Sequence, residues 1–295
     1  MFFTPFKYDE PVFRPPAEGN SAIIQTTIGC SWNKCAFCEM YTSKQFRIKK
    51  FTDLQSEIKI LSKYYKGSKK IFLADGNAFV LSASHLIPIL QEINTHFGKI
   101  QRISSYALPK DIVNKTAKEL KEIRSLGLKL LYIGVESGDD ELLKLIQKGE
   151  TYNSTIDGIL KAQAAGIDTS LMVLNGLGGK KYSEQHAKNS AKLINQVNPK
   201  FLSTLTLSFP FGLGHFKEKF NGVYVPQTIV ELANELKLFI EHTNVNNTIF
   251  RSDHVSNNLV LKGVLSKDKE EIIRTIDSSI ELIDENAYPT TPMFL

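Results

Sequence analysis

A regular alternation of strand-like and helix-like segments constrains the fold of this 295-residue chain. Short runs rich in Ile, Leu, Val and Phe are each followed by a segment with apolar residues at helical spacing. Strands separated by such helices pair in parallel through right-handed crossovers. Six units of this kind predict an α/β fold, a partial (β/α)6 TIM-like barrel with a C-terminal extension.

The predicted strands and helices follow one another along the chain. The predicted strands are residues 21–27, 70–74, 102–106, 129–135, 168–174 and 201–207. The predicted helices are residues 51–65, 84–97, 110–126, 140–146, 153–165, 183–197, 227–242 and 266–283. We expect Thr52 or Asp53 to cap the first helix, Gly127 to end the third, and the last helix to seal the barrel.

Length and composition favour a single globular core with two appended segments. A length of 295 residues suits one closed α/β barrel, and the 42% hydrophobic share is enough for a sizeable core. Four prolines and no helical period mark residues 1–20 as an N-terminal arm. The core is predicted at residues 21–210, and residues 211–295 are predicted to close the barrel and contribute to the substrate site.

Charge and hydropathy bear on partners and compartment. No apolar run approaches the roughly 18 residues needed to cross a bilayer, and the first residues do not have the pattern of a signal peptide. We therefore predict a cytoplasmic protein with no membrane partner. The net charge of +5 suits an anionic substrate or RNA, although it is spread along the chain.

All three cysteines lie within nine positions, directly after the first predicted strand. Cys30, Cys35 and Cys38 occupy a loop in which three thiolates can converge on a soft metal centre. A structural zinc site needs a fourth ligand, and the nearest histidine is His85, in a predicted helix. A 4Fe-4S cluster held by three cysteines keeps one iron open for a small molecule. Zinc binding and an iron-sulfur electron carrier or sensor remain as alternatives.

Polar residues end the other predicted strands at the same end of the barrel. In parallel barrels the loops after the carboxyl ends of the strands form the functional face. Turns favour Gly, Asn, Asp and Ser in any case, so each of these residues taken alone is equally explained as a turn. Their coincidence with the cysteine loop favours a site. The residues are Asp75, Gly76, Asn77, Tyr106, Glu136, Ser137, Asn175 and Gly176.

The cysteine loop resembles that of the radical S-adenosylmethionine (SAM) superfamily. The common family spacing is Cys-x3-Cys-x2-Cys with an aromatic residue before the last cysteine. Phe37 fits that pattern, and the first gap in this chain is one residue longer. The resemblance extends over residues 20–210 and is greatest to the Elp3/MiaB/NifB-like branch. It implies one 4Fe-4S cluster on the three cysteines and SAM beside it.

The resemblance also implies a role for the turn after the second strand. Asp75, Gly76 and Asn77 stand where family members have a Gly-Gly-Glu-like turn that receives the methionine ammonium of SAM. In this chain Asp replaces the first Gly, and Asn replaces the acid. The resemblance therefore implies a neutral amide acceptor for the ammonium.

Two further turns are implied to contact SAM. Glu136 and Ser137 are similar to a polar pair that meets the ribose, and Lys148 is similar to a basic residue that meets the SAM carboxylate. Asn175 and Gly176 resemble a glycine turn that lies against the adenine.

The chemistry that the resemblance implies is reductive cleavage of SAM to a 5′-deoxyadenosyl radical, which abstracts a hydrogen atom from a substrate. A one-electron donor such as flavodoxin or ferredoxin would supply the electron. The chain has no cysteine beyond the three. The resemblance therefore argues against an auxiliary cluster, as in methylthiotransferases, and against a methyl-carrying cysteine.

A polar segment at residues 248–258 predicts groups that handle the substrate. Arg251 can bind a carboxylate or phosphate through two hydrogen bonds, and His254 beside Asp253 can transfer a proton. We add Tyr106, at the end of the third strand, to these candidate catalytic residues and expect a small anionic substrate. The alternative is a polar loop with no catalytic role. The aromatic, glycine-rich residues 209–214 either line the active-site entrance or form a tight turn.

Basic residues next to the cysteine loop indicate a second, alternative function. Lys44, Arg47, Lys49 and Lys50 alternate with aromatic residues, a combination that can hold an RNA backbone. This would suit a tRNA- or nucleoside-modifying enzyme. More often such a run is a solvated surface or guides an anionic group, so RNA is the less favoured partner.

Overall fold

The computed structural model describes residues 7–290. The first six residues of the predicted arm, Pro5 among them, and the last five residues of the predicted extension lie outside that range. Within residues 7–290, no helix combines the length and the apolar character that crossing a membrane requires.

The strands and helices follow the predicted alternation. The strands are β1 (Ala22–Gln25), β2 (Thr27–Ile28), β3 (Arg47–Ile48), β4 (Lys70–Ala74), β5 (Arg102–Tyr106), β6 (Leu128–Glu136), β7 (Asp168–Asn175), β8 (Phe201–Thr206), β9 (Ile249–Ser252) and β10 (Leu261–Val264). The helices are α1 (Phe51–Tyr64), α2 (Ala83–Phe97), α3 (Pro109–Val113), α4 (Ala117–Ser125), α5 (Asp140–Leu145), α6 (Tyr152–Ala164), α7 (Gly179–Val197), α8 (Leu213–Lys219), α9 (Ile229–His242) and α10 (Leu265–Ile280).

Eight of the strands form one mostly parallel sheet. Its order is β1-β4-β5-β6-β7-β8-β9-β10, and β2 pairs separately with β3. The pairs β1 with β4, β4 with β5, β7 with β8 and β8 with β9 are parallel, whereas β10 runs antiparallel to β9. A parallel sheet with helices between its strands confirms the predicted α/β, partial-barrel fold.

The chain divides into two compact units. The first comprises the chain up to Asn33, Met40–Ile133 and Asp157–Thr169, and the second comprises Lys34–Glu39, Gly134–Ile156 and the chain from Ser170 onward. In the first unit, apolar residues of β1, β4 and α1 are fully buried. In the second, Phe216, Phe220 and Tyr224 form an aromatic core with Leu143. The division into arm, core and extension stays a prediction.

Three local predictions are wrong. The predicted helix 110–126 is two helices, because Thr116 and Glu119 form a capping box that starts α4. Neither Thr52 nor Asp53 caps α1, which follows Lys50 without a side-chain cap. The polar segment 248–258 is not one loop. Its apolar start forms β9, which extends the sheet beyond the six predicted strands.

Candidate functional site

The turn after β4, in the first unit, has a buried amide oxygen with no partner among the described residues. Asn77 is fully buried, and its Nδ2 donates to Ser31 Oγ at 2.8 Å and to Asp111 Oδ2 at 2.6 Å. Its Oδ1 accepts no hydrogen bond within residues 7–290. A buried acceptor left unpaired costs roughly 1–3 kcal/mol. The oxygen is therefore suited to a donor from a ligand. The hydrogen bond from Asn77 to Ser31, the residue after Cys30, joins this turn to the cysteine loop.

Gly76 lies between Tyr41 and Cys30 in space that only a glycine fits. A Cβ added to Gly76 would lie 2.5 Å from Cε2 of Tyr41 and 2.9 Å from Cβ of Cys30. Side chains do not pack this closely, so the backbone of the turn must lie directly against the first cysteine.

We expect Gly76→Ala to disturb the position of Cys30. Overpacking of this kind lowers the free energy of unfolding by about 1–3 kcal/mol, and we expect iron retention after anaerobic reconstitution to fall with it. Chemical denaturation and iron analysis measure the two effects. Gly214→Ala is the matched control, because nothing lies within 4 Å of its added Cβ. Equal stability and iron content in the two variants would contradict the steric argument.

The buried carboxylate of Asp75 contacts the start of the cysteine loop. The carboxylate is fully buried, pairs with Lys44 Nζ at 2.8 Å and accepts from the Gly29 amide at 3.0 Å and from Gln25 Nε2 at 3.3 Å. Burial raises the pKa of Asp75, and the hydrogen bonds from Lys44, Gly29 and Gln25 oppose that rise. Since Gly29 directly precedes Cys30, this contact fixes the start of the loop.

Tyr106 is half-buried at the end of β5. Its ring packs edge-on against Phe72 and Tyr132, with centroid distances of 5.2 and 6.2 Å. Packing therefore accounts for an aromatic residue at this strand end, and the catalytic role of Tyr106 stays a prediction.

In the second unit, a buried lysine lies near two of the cysteines. Lys148 Nζ donates to Glu136 Oε1 at 2.9 Å and lies 5.8 Å from the ring centroid of Phe37. Burial lowers the pKa of Lys148, but the charge of Glu136, its hydrogen bond with Lys148 and the electrostatic effect of Cys35 and Cys38 outweigh burial and raise it. Lys148 therefore stays a cation beside this part of the loop.

The second half of the cysteine loop is anchored within its own unit. Ala36 is fully buried, and its amide donates to the Ile146 carbonyl at 2.9 Å. All three cysteines are half-buried thiols outside any disulfide. Within residues 7–290, no three His, Cys, Asp or Glu side chains are grouped to hold a single metal ion. The cysteines of a 4Fe-4S cluster instead bind different irons, and a set of three thiols suits such a cluster.

Glu136 adopts a left-handed backbone conformation where β6 ends. Its φ is +63°, which costs a residue with a side chain about 1–3 kcal/mol. The turn places the Glu136 carboxylate on Lys148 and directs the next residue, Ser137, into the interior. Strained residues of this kind are concentrated at functional sites.

A buried polar chain connects the ends of β6 and β7. Ser137 Oγ lies 2.8 Å from His186 Nδ1, and His186 Nε2 lies 3.7 Å from Glu235 Oε1. Glu235 Oε1 in turn accepts from the Gly176 amide at 2.6 Å. Ser137 thus has a partner inside the protein, and the chain holds the turn at Gly176 in place.

Asn175 also has an internal partner. Its Nδ2 donates to the Leu232 carbonyl of α9 at 3.0 Å. The following Gly176 has a φ of +83°, and an added Cβ would lie 2.6 Å from Leu232 Cδ2, so a glycine is required. Packing against α9 explains both the glycine and the turn. The contacts of Asn175 and Gly176 with SAM stay predictions.

The predicted substrate residues are distributed along β9 and the turn after it. Arg251 is exposed in β9, Asp253 is exposed and His254 is half-buried. His254 Nδ1 lies 2.9 Å from Ser256 Oγ, and the role of His254 in proton transfer stays a prediction. Burial lowers the pKa of His254 and Asp253 opposes this, which favours a neutral imidazole.

Most of the predicted basic patch is neutralised by acidic residues. The pairs are Lys44 with Asp75, Arg47 with Asp9, and Lys49 with Glu57, and Lys50 is exposed. Ion-paired cations have less free charge to offer a phosphate backbone, so this surface is less suited to RNA than its sequence indicates.

Several residues that position the site were not predicted from the sequence. Asp111, His186 and Glu235 were not singled out, and Lys44 was considered only as a surface charge. A signal for two of them exists in the helices. His186 and Glu235 fall on the apolar faces of α7 and α9, where buried ionisable groups need partners.

The family model described as the radical SAM superfamily matches residues 24–194. That range includes the three cysteines and the strand ends from β1 to β7.

Two curated relatives match part of the chain. A putative methylthiotransferase of Methanocaldococcus jannaschii is 25% identical over 158 residues, covering 50% of this chain and 34% of the relative. A tRNA-2-methylthio-N(6)-dimethylallyladenosine synthase of Alkalilimnicola ehrlichii is 28% identical over 199 residues, covering 62% of this chain and 42% of the relative. The chain thus spans less than half the length of either one.

Two solved structures have a similar fold. Coproporphyrinogen III oxidase from Escherichia coli, a radical SAM enzyme, gives a TM-score of 0.59 at 16% identity, covering 75% of this chain and 52% of that one. Methylornithine synthase gives a TM-score of 0.52 at 15% identity, covering 92% and 84%. At these identities the likeness concerns the fold alone.

Proposed function

Because the chain belongs to the radical SAM superfamily of enzymes, we propose that Cys30, Cys35 and Cys38 hold one 4Fe-4S cluster and that SAM binds beside it. When bound, these groups supply reductive cleavage of SAM to a 5′-deoxyadenosyl radical, which abstracts a hydrogen atom from a small anionic substrate. A flavodoxin or ferredoxin would donate the electron.

The observation that carries this proposal is the open acceptor at Asn77. Asp111 is acceptor-only when ionised, so the amide nitrogen of Asn77 must face it at 2.6 Å. That orientation leaves Oδ1 buried, without a partner in the described part of the chain, and next to the cysteine loop. An ammonium group is a donor with three N–H bonds and suits this oxygen.

Replacement of Asn77 tests this acceptor separately from the cluster. We expect Asn77→Ala to weaken SAM binding by roughly 10- to 100-fold, since a hydrogen bond to a charged group contributes roughly 1.5–3 kcal/mol, while iron content stays near that of the wild type. Equilibrium dialysis of SAM on the anaerobically reconstituted protein measures the affinity. Asn94→Ala, which removes an exposed amide on α2, is the control. SAM affinity unchanged in Asn77→Ala would contradict the role of Oδ1.

We assign the remaining groups from their own contacts. Lys148 stays charged beside Cys35 and Cys38 and is the candidate for the SAM carboxylate, with Glu136 orienting its ammonium. Ser137 and Asn175 bond to internal groups, so we propose that they position the ribose and adenine turns. Phe37 packs near Lys148 and shields this side of the loop.

The proposed activity has a direct test. The protein is reconstituted anaerobically with iron and sulfide, reduced with dithionite and incubated with SAM, and 5′-deoxyadenosine is measured. We expect iron to bind at about four per chain and 5′-deoxyadenosine to form. A protein that holds the iron but forms no 5′-deoxyadenosine would refute the proposal in favour of an electron carrier, and tightly bound zinc in place of iron would favour a zinc-stabilised protein.

A second candidate is modification of a tRNA or nucleoside. It is favoured by the similarity to a synthase whose name specifies a tRNA base. Against it, three of the four cations of the predicted basic patch at residues 44–50 are paired with acids. Filter binding of total tRNA at low and physiological salt distinguishes the candidates, because backbone binding falls steeply with salt.

A further inference from the structure

Four side chains form a row across one face of the sheet in the second unit. The strand register pairs Met172 with Ser203, Ser203 with Arg251, and Arg251 with Lys262. Residues paired in this way project from the same face of a sheet. The row therefore runs across β7, β8, β9 and β10 and ends in two neighbouring cations.

This face of the sheet is the one turned away from α9. Thr204 and Ser252 line a small cavity together with Leu232 and Leu236 of α9. Side chains alternate between the two faces of a strand, so Ser203 and Arg251, which neighbour Thr204 and Ser252, project from the opposite face. The cations are thus on the face that α9 leaves uncovered.

The two cations repel each other and have no acidic partner in the described chain. Arg251 and Lys262 are both exposed and lie directly opposite each other in an antiparallel pair. Such residues have Cβ atoms about 4.5–5.5 Å apart, and like charges at this distance are destabilising. No ion pair between residues 7 and 290 includes either of them. The buried cations Lys44 and Lys148, by contrast, each pair with an acidic residue.

We infer that Arg251 and Lys262 form a subsite for an oxyanion, a carboxylate or phosphate group of the substrate. The guanidinium can hold two oxygens in one plane, and the ammonium adds a point charge next to it. An anion bound there would remove the repulsion between the cations. The assignment of the anion to the substrate of a radical enzyme rests on the proposed function. The binding of an anion at this subsite does not depend on it.

Anion-dependent thermal unfolding tests the subsite without SAM or turnover. The reconstituted protein is unfolded in rising concentrations of inorganic phosphate or of acetate, with ionic strength held constant by chloride. A bound anion stabilises the folded protein in proportion to the logarithm of one plus the ratio of the anion concentration to Kd, so the rise in unfolding temperature yields an apparent dissociation constant. We expect at least one of the two anions to stabilise the wild type more than chloride, and the stronger one identifies phosphate or carboxylate as the preferred group.

Three variants decide the outcome. Arg251→Gln and Lys262→Gln are expected to weaken anion binding by about tenfold or more, and in chloride alone Lys262→Gln should unfold no earlier than the wild type. Lys267→Gln removes an exposed cation on α10, outside the row, and should stay within about twofold of the wild type.

Two results would overturn the inference: no anion-specific stabilisation of the wild type, or equal binding in the wild type, Arg251→Gln and Lys262→Gln. The assay is independent of the proposed activity. A protein that forms 5′-deoxyadenosine but fails this test loses only the subsite, and one that passes it without forming 5′-deoxyadenosine loses only the proposed activity.

Discussion

Replacement of any one of Cys30, Cys35 or Cys38 with alanine is expected to abolish formation of 5′-deoxyadenosine. Loss of an outer partner of a metal ligand typically costs about 10–100-fold in metal affinity or activity, so loss of a ligand itself is expected to cost more than about 100-fold. Iron content after anaerobic reconstitution should fall in parallel. Iron analysis and product quantification on the same samples measure both effects.

The control for these variants lies in the same loop. Lys34 is exposed between Cys30 and Cys35, and Lys34→Ala should keep iron content and activity within about twofold of the wild type. Thermal unfolding of each protein before reconstitution shows that the alanine variants are folded. If a folded cysteine variant kept both its iron and its activity, that cysteine would not be a ligand.

The regular elements of the fold could be predicted because their signals are local. Residues 70–74 and 102–106 form β4 and β5 with the predicted bounds, since each is a short segment between two helix-like segments. The break between α3 and α4 was missed because helical spacing continues across it, and the capping residues Thr116 and Glu119 decide it. The strand β9 was missed because it is short and its pairing with β8 depends on distant residues.

Candidate ligands of the site could be proposed from the sequence, but the residues that hold them in place could not. The cysteines and the turn at Asn77 stand out because each follows the end of a predicted strand. Lys44 meets Asp75 across 31 positions, and Asn77 meets Asp111 across 34. Contacts of this kind depend on how the chain folds back on itself, so no spacing in the sequence indicates them. They matter because a buried charge or amide has a large energetic effect.

Lys44→Met is expected to produce the largest loss of stability among single substitutions around the site. Lys44 is 8% exposed, its partner Asp75 is fully buried, and Lys44 Nζ also donates to the carbonyls of Asp9 and Pro11 at 2.5 and 2.6 Å. Removal of one partner from a buried pair costs about 3–5 kcal/mol, because the other charge stays buried without compensation. Urea denaturation at pH 8 measures the difference. Arg47→Met, which breaks an exposed pair with Asp9, should cost at most about 1 kcal/mol.

The loss in Lys44→Met should depend on pH in a defined direction. Burial already raises the pKa of Asp75 in the folded protein, and removal of Lys44 takes away a group that lowers it. A folded-state pKa above the unfolded value means that folding takes up a proton, so the stability of the variant falls as pH rises through the folded pKa and recovers below it. The deficit of Lys44→Met relative to the wild type should therefore be smaller at pH 5 than at pH 8.

The double variant Lys44→Met/Asp75→Asn separates the buried charge from the lost hydrogen bonds. An amide at position 75 needs no cation, so the double variant should regain at least about 2 kcal/mol of the loss at pH 8 and should lose the pH dependence. The contacts of Lys44 with Asp9 and Pro11 stay absent in both variants, so recovery can come only from the carboxylate. If the single and double variants were equally unstable at both pH values, the loss in Lys44→Met would not come from the uncompensated charge of Asp75.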